Sequence, residues 1–95
     1  MFYVDASAEL RKRIKHLHQI ANEQDRGELF ISAFKEIYSR LHDNAFEFGE
    51  PLYSLPILRL QIRTGSVLPI VLTYSVSSDH PIVVIKSVEL LDHKR

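Results

Sequence analysis

Between Ser54 and Leu91 the sequence reads as three consecutive β-strands, and this meander limits what a chain of 95 residues can fold into. The first strand, Leu55 to Arg63, alternates with period two. Leu58, Leu60 and Ile62 fall on one side; Arg59, Gln61 and Arg63 fall on the other. The apolar side is expected to face the core and the cationic side to face out. Thr64-Gly65-Ser66 is then a turn. In the next strand, Val67 to Val76, the residues Leu68, Ile70, Leu72, Tyr74 and Val76 share one face, and Thr73 and Ser75 share the other. Pro69 lacks an amide proton, which places that part of the strand at an edge or a bulge. Ser77 to Pro81 is a second turn, and Ile82 to Leu91 is a last strand, apolar on both faces at its start.

The first half of the chain is helical. Phe2 to Asp5 makes one short strand, and Asp5 or Ser7 supplies an N-cap. A helix over 7–22 carries Leu10, Ile14, Leu17 and Ala21 as one stripe, with Arg11, Lys12, Arg13 and Lys15 opposite. The polar run Asn22 to Gly27 connects it to a second helix over 27–42. There Phe30, Ala33, Phe34, Ile37, Tyr38 and Leu41 form a wide apolar stripe suited to a sheet. Residues 45–53 read as an ordered loop, anchored by Phe46 and Phe48 and turned by Gly49 and Pro51. The order is β-α-α-β-β-β. The fold class is therefore α+β, an N-terminal helical hairpin packed on one face of a small antiparallel sheet.

Length and composition exclude several classes. One domain over 1–95 is expected, large enough for one core. With no cysteine there is no disulfide, thiolate metal site or cysteine nucleophile, and a reducing cytoplasm is the simplest compartment. No apolar run approaches the ~20 residues that span a bilayer, so no membrane association is expected. Lys plus Arg equals Asp plus Glu at 12 each, so a nucleic-acid surface must come from local clustering, not bulk charge.

Clustering singles out a short set of residues. Arg59 and Arg63 offer rigid donor forks suited to phosphate, and Gln61 between them can read a base edge. Lys86, in an otherwise apolar strand, emerges beside them or at an edge. Arg11, Lys12, Arg13 and Lys15 form either an RNA-binding face or a solvated helix surface. Glu50 in the loop can serve as a general base if a hydroxyl comes within hydrogen-bond reach. His16, His18, His42 and His80 have no metal-ligand spacing, and there is no glycine-rich phosphate loop, so neither metal nor cofactor is expected.

With these residues in place, the chain resembles the RelE/ParE superfamily, the small toxins of bacterial toxin–antitoxin pairs. The resemblance rests on Phe48-Gly49-Glu50-Pro51-Leu52, on Leu55, Leu60 and Ile62-Arg63, and on Leu72-Thr73-Tyr74-Ser75-Val76. It implies an antitoxin partner and one of two activities: ribosome-dependent cleavage of messenger RNA, or binding of DNA gyrase. For cleavage it implies catalytic roles for Arg59, Arg63, Glu50 and, as C-terminal acid, His93. Gln61 stands where a second lysine is usual, while Val71 and Leu91 stand where arginines are usual. A non-catalytic protein-interaction module on the same scaffold is the alternative that those substitutions favour.

Overall fold

In the computed structural model, which describes residues 1–91, the helical hairpin starts at Ser7. Its Oγ accepts from the Leu10 amide at 3.1 Å, satisfying one of the unpaired donors of the first turn. Helix α1 (Ala8–Glu23) buries Leu10, Leu17 and Ala21; helix α2 (Gly27–Asn44) buries Phe30, Ala33, Ile37 and Leu41. Both follow the three-and-four spacing of the sequence. Tyr38, expected in the stripe, is half exposed at its margin. Asp25, with φ of 59°, turns the chain between the helices.

Five strands form one mixed sheet: β1 (Tyr3–Ala6), β2 (Glu50–Leu55), β3 (Leu60–Val67), β4 (Ile70–Ser77) and β5 (Ile82–Leu90). Their order is β1-β5-β4-β3-β2, antiparallel except for β1, which lies parallel to β5. This parallel edge amends the expected all-antiparallel sheet. It follows from the hairpin, which carries the chain across one sheet face before the meander begins. α1 packs against β5, and α2 crosses β1, β3 and β4. The core lies between them, with Ile70, Leu72, Tyr74, Val76, Val83, Ile85 and Val88 supplied by the sheet.

The expected strand over 55–63 is broken: Leu55 ends β2, and β3 begins only at Leu60. Pro56–Leu58 form a single 3-10 turn, and Arg59 takes a left-handed conformation with φ of 55°. The chain therefore reverses there, and the anticipated loop before it becomes the edge strand β2. Conversely, Thr64-Gly65-Ser66 is mid-strand, and the turn falls at Leu68-Pro69. Gly65 is required for packing, not turning: a methyl group there would overlap the Phe48 ring. Glycine reads as punctuation in a sequence, and only the fold distinguishes close approach from reversal.

Candidate functional site

Cross-strand register decides where the polar row of β3 points. Gln61 pairs with Val76, Arg63 with Tyr74, and Gly65 with Leu72. Paired residues share a face, and Tyr74, Leu72 and Val76 are core residues. Gln61 and Arg63 therefore lie on the helix-facing side. Ile62 and Thr64 share the opposite side with Ser75 and Thr73. The expected division of β4 holds, but β3 is inverted relative to it. The alternation was real, and its polar side faces inward because the loop after α2 folds beneath it.

Arg63 is the centre of that arrangement. It is only 6% exposed, and its Nη2 donates to the Gly49 carbonyl at 2.8 Å. Its Nη1 donates to Gln61 Oε1 at 2.6 Å, and its Nε to the Tyr74 hydroxyl at 3.3 Å. The Tyr74 hydroxyl in turn donates to the Ala45 carbonyl at 2.9 Å. Sheet and loop are thus stitched together through one cation and one phenol. All three acceptors of Arg63 are neutral, so no carboxylate in the described residues pairs with this buried charge. Burial raises the Tyr74 pKa above the ordinary phenol value; the Arg63 hydrogen bond and charge oppose that rise without cancelling it.

Beside this network a cleft of about 440 Å³ opens, lined by Arg40, Glu47, Phe48, Gly49, Glu50 and Thr64 among others. Arg40 lies over the Phe48 ring at 5.9 Å and pairs with Glu36 at 2.9 Å. Glu50 opens β2 opposite Thr64 and is exposed. Two carboxylates against one guanidinium make this cleft a poor seat for a polyanion, which needs clustered cations.

The remaining candidates are dispersed. Arg59 sits at the hairpin tip, where its Nε donates to Asp79 Oδ1 at 2.6 Å. That places it at least roughly 10 Å along the strand from Arg63. Asp79 was not foreseen as its partner, because twenty residues of meander separate them. Lys86 is exposed where the β4–β5 register shifts, between the pairs Thr73–Ser87 and Tyr74–Ile85. Arg11 pairs with Asp5 at 3.2 Å, while Lys12, Arg13 and Lys15 are exposed on α1, which packs two strands away from β3. His93 lies outside the described residues. Among the described residues, no group of three His, Cys, Asp or Glu side chains could hold a metal ion.

A second concavity, of about 420 Å³, runs along the free edge of β1 between the two helices. Val4, Ile14, Phe34 and Ile85 make it apolar, with Tyr3 and Tyr38 at its rim. Sequence periodicity assigned Phe34 and Tyr38 wholly to the core. The short parallel edge leaves them partly uncovered. No helix among the described residues is long and apolar enough to cross a membrane.

No family model matches the sequence, and no curated protein matches it. Among solved structures, the chain is similar to RelE in the archaeal RelE–RelB complex from Pyrococcus horikoshii OT3. The two superpose with a TM-score of 0.60 over 98% of this chain and 98% of that one, at 13% sequence identity. The chain has a RelE-like fold.

Proposed function

We propose that this chain is a toxin-type protein that works as one half of a protein pair, held by a small antitoxin-type protein. The observation that carries this reading is the end-to-end likeness to a RelE chain that occurs in complex with RelB. The apolar groove along β1 supports it, because Tyr3 and Tyr38 are the kind of partly exposed aromatics that anchor protein interfaces. Expression in a bacterium, with and without any small protein encoded beside it, tests the proposal. Growth arrest relieved by the second protein, with the two purifying together, is the expected result. Unimpaired growth and no co-purification would sink it.

Cleavage of messenger RNA on the ribosome is a second reading, and one observation favours it. Arg63 is a cation without a carboxylate partner, one strand from Glu50. Against it stand the pairing of Arg59 with Asp79 and the acidic lining of the adjacent cleft. A-site cleavage in the arrested cells supports this reading, and intact messages exclude it. Arrest with intact messages, together with loss of gyrase supercoiling, points instead to gyrase.

A further inference from the structure

Every residue from Glu50 to Arg59 is exposed, although this segment carries five large apolar side chains. Leu52 is 54% exposed, Tyr53 58%, Leu55 37%, Ile57 96% and Leu58 64%. They lie along β2, a sheet edge with no neighbour on its outer side, and on the hairpin tip that follows it. Monomeric proteins blunt such edges, since unpaired backbone donors and acceptors template further pairing. Here Pro51 and the register shift between Pro51 and Tyr53 blunt only the beginning of the strand.

We propose that this edge pairs with the same edge of a second copy, joining two five-stranded sheets into one across a two-fold axis. Three features favour a second copy as the occupant. The first is charge order. The segment begins with Glu50 and ends with Arg59, with only uncharged residues between. Antiparallel pairing of two such segments brings the acid of each copy toward the base of the other. Arg59 uses its Nε on Asp79, and its Nη groups have no partner among the described residues.

The second feature is register. A two-fold axis through an antiparallel pair places one residue opposite itself, and Ser54 at that position suits this segment best. It is small, and it sets Tyr53 of each copy against Leu55 of the other, a stabilising aromatic–aliphatic pair. The ladder ends with Leu55, and Glu50 then lies toward the hairpin tip of the second copy, Pro56 to Arg59. Pro51, which cannot donate, falls outside the central ladder.

The third is area. The five apolar side chains expose on the order of 600 Å² per copy, so their full burial would cover at most roughly 1,200 Å² in total, the lower bound for specific interfaces. An interface of this size fits a dimer that forms only at high protein concentration. This interface is independent of the toxin-type reading and uses the edge opposite to β1.

Sedimentation of the full chain over a concentration series tests the proposal, combined with single-thiol crosslinking. The protein has no cysteine, so an introduced thiol reports only its own position. The expected result is a concentration-dependent species of twice the 11.0 kDa chain mass. Ser54→Cys should form an intermolecular disulfide, because directly opposed Cα atoms lie within the ~4.4–6.8 Å that a disulfide accepts. Ile57→Cys should not, since Ile57 lies on the hairpin tip beyond the ladder and its two-fold mate is at the opposite end of the paired segment. Ile57→Asp, at a fully exposed site where folding is not at risk, should weaken the dimer by about tenfold or more with an unchanged circular dichroism spectrum. A chain that stays monomeric to ~200 μM overturns the proposal, as does crosslinking at position 57 but not 54. So does a monomer that uses Ile57 only to hold a different protein.

Discussion

The Arg63 guanidinium meets the Tyr74 hydroxyl at 3.3 Å inside the protein, and between them they hold both ends of the loop that follows α2. Tyr74 takes the Ala45 carbonyl at the start of that loop, and Arg63 takes the Gly49 carbonyl at its end. Phe48, carried between them, fills the space left by Gly65. The loop is short and buried at several points, so its carbonyls need internal donors. An arginine reaching inward from β3 supplies them.

Replacing Arg63 with alanine should therefore cost stability whether or not the residue has a chemical role. It strands the Gly49 carbonyl and the Gln61 amide oxygen, and hydrogen bonds to a charged group contribute about 1.5–3 kcal/mol each at most. We expect a loss of about 2–4 kcal/mol in urea denaturation. Arg63→Lys should recover little of it, because an ammonium cannot span three acceptors set by a planar fork. If growth arrest survives in a folded Arg63→Lys variant, Arg63 is structural.

Tyr74 gives stability a pH limit at the alkaline end. Its folded pKa is raised above the unfolded value, so the folded state holds the proton more tightly. That contribution is fully present below the unfolded pKa of about 10 and is lost as pH rises above it toward the folded pKa. Melting temperature should be insensitive to this group at neutral pH and fall above about pH 10. Tyr74→Phe should flatten that fall, while costing about 1–3 kcal/mol at pH 7 through the unpaired Ala45 carbonyl.

Gly65→Ala should destabilise the protein by about 1–3 kcal/mol, since the added methyl group overlaps the Phe48 ring. Its backbone needs no positive φ, so a smaller side chain at the obstructing position should rescue it. Thermal melts of Gly65→Ala and of Gly65→Ala with Phe48→Leu check this. A larger loss in the double variant than in the single one would mean that Phe48 is not the obstacle.

The helix start makes a modest, separable contribution. Ser7→Ala removes the oxygen that accepts from the Leu10 amide and should cost about 1 kcal/mol. Ser7→Asp should retain the cap. By contrast, Arg59→Ala breaks an exposed ion pair with Asp79 and should cost no more than ~1 kcal/mol, a loss that salt reduces. A large effect of Arg59→Ala on growth arrest with this small effect on melting would assign Arg59 a role in target recognition.

The hydrophobic periodicity by itself determined the helical hairpin, the strands β4 and β5, and the order of helices before sheet, because burying a stripe or a face constrains spacing within a single element. Leu10, Leu17 and Ala21 on α1, and Phe30, Ile37 and Leu41 on α2, were legible for that reason. So was the division of β4 into a core face and a polar face. The orientation of β3 was not legible. Alternation shows that two faces differ, but register with the neighbouring strand decides which one meets the helices. That register turned Arg63 inward onto Tyr74, while the left-handed Arg59 broke the apparent strand and left β2 at the edge. Elements follow from local pattern. The candidate site follows from pairings between residues distant in sequence, and only tertiary structure sets those.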